Sequence, residues 1–265
     1  MTCASPVYGM QDGWNCPGRA VLFEIFDIIL LAGMFVAFFA SGMTAYAGFG
    51  GALVMVPLFT LLIGPVQAIA LMALCSAVAL IHVIPGLFRV IRWREVLPLV
   101  VGLFVSISVA SGYLVTADAG FVRLCMGVFV LLSAAILILD LRYSGPRGPV
   151  PSFVIGMVTG AIMGGVGVPA GPVMVIYFLA AQEPAPVQRA NIMVSVWLLL
   201  VIMLVSLLGR EAIEVRTALS AGLIAPASIL GASLGQYLFR RAPMAWFKTF
   251  AHGLLVVIGV AMLVI

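Results

Sequence analysis

The chain has 265 residues, of which 64% are hydrophobic and only 8% are charged, and its mean hydropathy is +1.28. These values exclude a water-soluble domain and indicate a polytopic membrane protein. The net charge of +4 does not indicate nucleic-acid binding, because the 13 basic residues lie mostly in short gaps between apolar segments and form no basic patch.

Ten apolar segments follow one another along the chain, separated by charged residues and turn residues. In the first half they are 24–46, 51–63, 67–88, 96–116 and 120–140, and in the second half 152–166, 171–182, 187–209, 216–239 and 245–265. A membrane-spanning helix needs about 20 apolar residues. The second and seventh segments are too short to span as plain helices, and each follows a glycine-rich stretch that would cover the remaining thickness.

The two halves of the chain are similar in sequence. VMVPLF at 54–59 matches VMVIYF at 173–178, and each is followed by PVQ, at 65–67 and at 186–188. We therefore predict an all-α membrane protein built from two repeats of about five segments, with a broken short helix in each. The predicted division is a periplasmic segment at 1–23, a first repeat at 24–141, a cytoplasmic linker at 142–151 and a second repeat at 152–265.

The basic residues predict the topology, because cytoplasmic loops carry an excess of Lys and Arg. If all ten segments cross and the N-terminus is outside, nine basic residues lie inside and four outside. A re-entrant arrangement of the two short segments fits this rule less well. Five crossings per repeat would invert the second repeat relative to the first, as in many secondary transporters. We expect a multi-pass protein of a bacterial inner membrane with both termini periplasmic.

The glycine-rich stretches before the two short helices are the main functional signal. Irregular backbone inside a membrane is tolerated only where it is buried in protein or lines a polar cavity. A helix that starts there presents free N–H groups and the positive end of its dipole, which favour an anion. We predict that both helix starts meet near the midplane; the alternative is that the glycines only allow close helix packing. The predicted backbone site consists of Gly48, Phe49, Gly50, Gly51, Gly165, Gly167 and Gly171.

Five polar side chains in or beside the apolar segments are further candidates for the substrate site. Gln67, Gln188 and Asn191 could donate to ligand oxygens. Arg189 could attract an anion, or its guanidinium could extend to the cytoplasmic interface. His82 could donate to an anion or carry a proton, or it could make only a structural hydrogen bond.

The remaining polar residues predict little chemistry. All nine carboxylates lie in the N-terminal segment or near segment ends, so none is placed to bind a coupling cation at mid-depth. Ser76 and Ser195 are assigned to helix packing. We predict no metal site and no cofactor. The predicted topology places Cys3 and Cys16 in an oxidising compartment, which makes them a candidate disulfide.

The motif GFGGALVMVP at 48–57, early in the first half of a duplicated chain of this length, resembles the sulfite exporter TauE/SafE family. The second-half counterpart, GVGVPAGPVMV at 165–175, departs from the family pattern, with Val168 and Pro169 where glycine is expected and Ile176 in place of the second proline. The resemblance implies export of a small sulfur-containing anion, either sulfite or an organosulfonate such as sulfoacetate, and the departure leaves the substrate open.

Three functions other than transport are alternatives for a membrane protein of this kind. An anion channel needs a continuous polar pore, for which polar residues are too scarce on any helix face. An intramembrane enzyme needs a catalytic constellation, and the sequence has none. A non-transporting membrane assembly subunit stays open. The expected partners are a small anion and the lipid bilayer, without nucleic acid, and a homo-oligomer is left open.

Overall fold

The structure is a computed structural model that describes residues 17–47, 49–139, 143–168, 170–181 and 183–239, with residues 17–29, 47, 137 and 138 described by their backbone alone. Within these ranges the fold is all-α and contains no strand. The helices are α1 (Pro17–Ala47), α2 (Gly51–Ile63), α3 (Pro65–Leu80), α4 (Ile84–Leu87), α5 (Trp93–Thr116), α6 (Ala119–Ile138), α7 (Pro149–Val166), α8 (Gly171–Leu179), α9 (Ala185–Leu208) and α10 (Val215–Phe239).

The described helices correspond to nine of the ten predicted segments, and the tenth, 245–265, lies outside the described residues. One predicted segment, 67–88, is divided into α3 and the short α4. Turn residues 81–83 separate these helices just before Pro85, which has no N–H to donate and disfavours helical backbone at the residue before it. Helix α7 begins at Pro149, so the predicted linker 142–151 is partly helical.

The chain is a multi-pass membrane protein. Five described helices, α5, α6, α7, α9 and α10, are long and apolar enough to cross a membrane. Helices α2 and α8 have 13 and 9 residues. At 1.5 Å per residue they extend about 20 Å and about 14 Å, which is less than the hydrocarbon thickness of about 30 Å. Both are therefore broken helices that cannot span the bilayer by themselves.

Helices α1, α3 and α10 run in the same direction. A Cβ at Gly231 of α10 would collide with the carbonyl of Phe38 in α1, and one at Gly235 would collide with that of Gly42. Small residues four positions apart thus bring the two backbones together in parallel. Near the start of α3 the Gln67 side chain bonds Thr217 of α10, and beyond its end His82 lies beside Ser233.

Helices α5, α7 and α9 form a second parallel set. A Cβ at Gly156 of α7 would collide with the carbonyl of Leu99 in α5, and Gly160 packs against Leu103 one turn further along. The start of α5 contacts the start of α9, where the Arg92 N–H donates to Asn191 Oδ1 at 2.9 Å. Their later turns meet at the Ser111–Ser206 hydroxyl pair, 2.6 Å apart.

The two sets run in opposite directions. Arg189, at the start of α9, donates to the carbonyl of Ala45 at the end of α1. The end of α9 is joined to the start of α10 by residues 209–214. Since α1 and α3 are parallel, the chain must return across the molecule through α2, and between α7 and α9 it must return through α8. Helices at equivalent places in the two halves thus have opposite directions, as an inverted repeat requires; the repeat itself remains a prediction.

The charged side chains that are described lie at the two ends of the helix bundle. One end, which we name the basic end, carries Arg89, Arg92, Arg94, Arg147 and Arg189 with Glu95 and Glu183. The opposite end carries Arg123, Arg210 and Arg216 with Asp118, Glu211 and Glu214. The excess of basic residues at one end follows the distribution predicted for cytoplasmic loops.

Candidate functional site

A small cavity of about 30 Å³ lies where the two broken helices begin. Phe49 and Gly50, which lead into α2, form one wall, and Gly171 and Pro172, which begin α8, form another. Helices α1, α3, α7 and α9 complete the enclosure. The other lining residues are Thr44, Ala52, Leu53, Ser76, Met163, Met174, Val196, Leu199 and Leu200.

The two halves of the chain contribute matching residues to this cavity. Thr44 and Met163, which both line it, are separated by 119 positions, the spacing that relates VMVPLF to VMVIYF. Leu53 and Pro172 have the same spacing. The residues that begin α2 and α8 thus line one cavity.

Glycine is required by the backbone at the start of α2. Gly50 is the residue before the helix and has φ 101° and ψ −31°, a conformation that residues with a Cβ rarely adopt. A Cβ at Gly50 would also lie 2.8 Å from Met43 Cε. At Gly51 a Cβ would collide with the Ala40 carbonyl and the Thr44 hydroxyl of α1. The packing alternative thus accounts for Gly51, whereas Gly50 combines a strained turn with a place on the cavity wall.

The glycines of the second run have separate roles. Gly167 ends α7 in the left-handed conformation, with φ 69°, and its N–H donates to the Met163 carbonyl at 3.0 Å. Gly165 packs loosely on α5, since a Cβ there would lie 3.8 Å from the Cβ of Ala110. Gly171 is different, because a Cβ there would meet no atom within 4 Å. Only Gly171 of these three lines the cavity.

The groups that face the cavity are neutral hydrogen-bond donors in an apolar wall. The first turn of a helix has N–H groups without an acceptor inside the helix. In α2 the Gly50 carbonyl accepts from Leu53 N, which leaves the N–H groups of Gly51 and Ala52 without an acceptor inside the helix. Of these two residues, Ala52 lines the cavity. In α8 Pro172 has no N–H, so this helix start offers fewer donors than that of α2. None of the lining residues is ionisable.

Two hydroxyls add to these backbone donors. The Thr44 hydroxyl donates to the Ala40 carbonyl at 3.1 Å, so its proton is already used within α1. Ser76 of α3 is 9% exposed and makes no hydrogen bond within the described residues. The Ser76 hydroxyl is therefore a buried donor that is available to a ligand. Its assignment to helix packing from the sequence is incomplete, because the structure puts it on the cavity wall.

An arginine contacts the far end of each broken helix. Arg147 Nη1 donates to the Tyr177 carbonyl of α8 at 2.9 Å, and its Nη2 pairs with Glu95 at 2.8 Å. Arg123 Nη2 lies 3.5 Å from the Thr60 carbonyl of α2. Positive charge at a helix C-terminus offsets the negative end of the helix dipole. The partial negative charges at the C-termini of α2 and α8 are therefore partly offset. They cancel less of the positive potential that the helix N-termini create at the cavity.

The two predicted glutamines lie away from the cavity. Gln67 joins α3 to the start of α10: its Nε2 donates to the Ala212 carbonyl at 3.0 Å, and its Oε1 accepts from the Thr217 hydroxyl at 2.8 Å. Gln188 Nε2 donates to the Ala181 carbonyl at 2.6 Å. Both amides therefore serve connections between chain segments at the ends of the bundle.

Three other predicted side chains also lie outside the cavity. Arg189 contacts the end of α1 and stacks over the Phe239 ring, with its Cζ 4.0 Å from the ring centroid. Asn191 is 1% exposed and accepts from Arg92 N, and its Nδ2 has no partner among the described residues. His82 is exposed, with Nε2 3.3 Å from the Ser233 hydroxyl.

The remaining predicted residues fall outside the described part of the chain. These are Gly48 and the candidate disulfide of Cys3 and Cys16. In the described part, Cys75 and Cys125 are free thiols, and no group of three or more His, Cys, Asp or Glu side chains could hold a metal ion.

Thr44 and Met163 line the cavity, although neither was predicted as a site residue. Both lie in the last turn of the helix before a glycine-rich break, Thr44 in α1 and Met163 in α7, so that turn was the available signal. Their equivalent spacing in the two halves could have identified them together.

The comparison with known families agrees with the motif. A family model described as Sulfite exporter TauE/SafE matches residues 31–262, which cover most of the chain and include both glycine runs. No curated protein and no solved structure matches this chain.

Proposed function

Since the chain belongs to the sulfite exporter TauE/SafE family, we propose that it exports a small sulfur-containing anion through the cavity between α2 and α8. The family suggests a membrane transporter of sulfur anions. Sulfite and organosulfonates such as sulfoacetate are the proposed substrates. The protein would work as a secondary transporter in a bacterial inner membrane, and we assign it no catalytic activity.

The observation that supports this proposal is the convergence of two helix starts and the Ser76 hydroxyl on one buried cavity. Sulfite and sulfonate groups present several oxygen acceptors, which suit backbone N–H and hydroxyl donors at the positive ends of helices. Neutral donors can bind an anion without a buried arginine, whose desolvation would be costly. The proposed contacts are the backbone around Phe49, Gly50 and Gly171, together with Ser76.

The proposed substrate site would be closed in this conformation, because the cavity is small. A volume of about 30 Å³ has room for only a few water molecules, since one water needs about 10–15 Å³ of such space. A sulfur oxyanion has several non-hydrogen atoms, so α2 or α8 must move outward before it can bind. Opposed movements of two inverted repeats around a fixed central site are the usual form of alternating access in transporters.

The membrane potential favours export of the proposed anion. With the basic end in the cytoplasm, a monoanion that leaves a cell with a negative interior gains about 2.3 kcal/mol per 100 mV. No carboxylate lines the cavity to bind a coupling cation. Export driven by the membrane potential alone is therefore part of the proposal.

Transport by the purified protein in proteoliposomes tests this function. Vesicles loaded with sulfite or sulfoacetate should release it in a saturable manner, faster when a potassium gradient with valinomycin makes the interior negative. Exchange accelerated by substrate on the far side would distinguish a transporter from an anion channel. Absence of flux for both anions would contradict the proposal, and a strict requirement for a proton or sodium gradient would contradict potential-driven export.

A further inference from the structure

A second cavity, outside the proposed transport site, lies at the basic end and has a volume of about 540 Å³. The loop before α5 forms one side through Val90, Arg92, Trp93 and Arg94, and the start of α7 forms the other through Gly148 and Pro149. It is many times larger than the closed cavity between α2 and α8. None of the transport residues proposed above lines it.

The electrostatics of this cavity favour an anion. Its one carboxylate, Glu95, is paired with Arg147 at 2.8 Å. Arg92 is paired with Glu183 at 2.8 Å. Arg94 is exposed and makes no ion pair or hydrogen bond within the described residues, so its charge is not offset by a contact. The cavity therefore keeps an excess of positive charge after the internal pairs are counted.

Two helix starts add donors at the same place. Helices α5 and α7 begin side by side, and neither has a side chain that caps its first N–H groups. In α5 the Arg92 carbonyl already accepts from Glu95 N and Val96 N, which leaves the N–H groups of Trp93 and Arg94. An anion in the cavity would meet backbone donors as well as the arginine side chains.

The rim of the cavity is apolar and aromatic, which indicates the kind of anion. Trp93 stacks on Phe88 with ring centroids 5.7 Å apart and an interplanar angle of 16°, and both rings are partly exposed. Aromatic side chains at the ends of membrane helices typically lie at headgroup level. Val90 and Val150 are also exposed beside the cavity. Arginines next to exposed apolar side chains match a molecule with a phosphate group and acyl chains.

We propose that this cavity binds the headgroup of an anionic phospholipid, with Arg94 as the principal charged contact. Basic pockets between membrane helices are established as sites for anionic headgroups in general. The acyl chains would lie along the exposed rim formed by Phe88, Trp93 and Val150. The site is separate from the substrate cavity, so either proposal can fail without the other.

Thermal shift of the purified full chain in detergent tests this site. The probes are short-chain phosphatidylglycerol, phosphatidylcholine of the same chain length and inorganic phosphate. We expect a saturable rise in Tm with phosphatidylglycerol, a much smaller one with phosphatidylcholine and none with phosphate at equal concentration. Arg94→Gln should weaken phosphatidylglycerol binding about fivefold, because a basic residue near anionic lipid contributes about 1 kcal/mol.

The matched control is Arg216→Gln, which removes an exposed arginine at the opposite end of the bundle. It should leave the apparent affinity for phosphatidylglycerol unchanged. Equal stabilisation by both lipids, or equal loss in the two variants, would overturn the proposed site. A shift by inorganic phosphate as large as that by phosphatidylglycerol, abolished by Arg94→Gln, would overturn the assignment to a lipid.

Discussion

Substitution of Ser76 by alanine separates ligand binding from folding. The Ser76 hydroxyl lines the cavity and has no hydrogen-bond partner within the described residues. In the free protein this hydroxyl faces the cavity and bonds no described protein group, so its removal breaks no such contact. Alanine also has the higher helix propensity. We therefore expect the Tm of Ser76→Ala to be unchanged or raised.

The same substitution should weaken anion binding. A hydrogen bond to a charged group contributes about 1.5–3 kcal/mol, which corresponds to roughly a 10- to 150-fold increase in Kd. Calorimetric titration of the purified protein with sulfite and with sulfoacetate measures this change. A loss of affinity with no loss of Tm would be difficult to explain by a structural role.

Ser41 supplies a matched control for this experiment. It is also a buried serine of the first repeat whose hydroxyl has no partner in the described residues, but it does not line the cavity. Ser41→Ala should likewise have an unchanged or raised Tm, and it should keep its affinity for both anions. If Ser76→Ala binds both anions as the unmodified chain does, or if Ser41→Ala loses as much affinity, the Ser76 hydroxyl is not a ligand donor.

Other substitutions at the broken helices have expected outcomes of different kinds. Gly50→Ala should lower Tm, because left-handed backbone costs a residue with a Cβ about 1–2 kcal/mol, and thermal unfolding measures this. Gly171→Val should abolish anion binding in calorimetry while the protein stays folded. Gly222→Val, at another position with open space, should bind the anion normally. Equal binding by the two variants would refute the proposed position of Gly171 at the anion site. Arg147→Gln should lower both Tm and anion affinity, and Arg147→Lys should restore part of each; unchanged affinity would show that charge at the end of α8 does not affect the cavity.

Sequence alone could predict the helices, since the gaps between apolar segments hold nearly all of the charged residues. Sequence could also predict that Gly50 and Gly171 lie near each other, because the two glycine-rich stretches occupy equivalent places before short segments. The division at 81–83 was missed although Pro85 was visible, since proline inside an apolar segment can also kink a helix without ending it. Composition therefore predicted a membrane protein and its apolar segments, but it did not predict where α3 ends.

Distance along a helix explains why the two predicted glutamines lie away from the cavity. Gln67 follows the C-terminus of α2, whose 13 residues extend about 20 Å away from the cavity. Gln188, Arg189 and Asn191 stand beyond the end of α8 in the same way. Residues at matched positions of two repeats need not lie near the cavity. Each short helix leads away from the cavity, so the residues that follow it lie near an end of the bundle. This constraint was available from the segment lengths.

The choice of donors at the cavity is consistent with release as well as binding. A buried arginine would hold a sulfur oxyanion strongly, and a transporter must also let its substrate go. Backbone N–H groups and one hydroxyl lose their alignment as soon as α2 or α8 shifts, whereas an arginine side chain could follow the ligand. The arginines that accompany the broken helices lie at their far ends, on the carbonyls of Thr60 and Tyr177. In that position they would strengthen the field at the cavity without contacting the proposed substrate, so movement of either helix would change binding and access together.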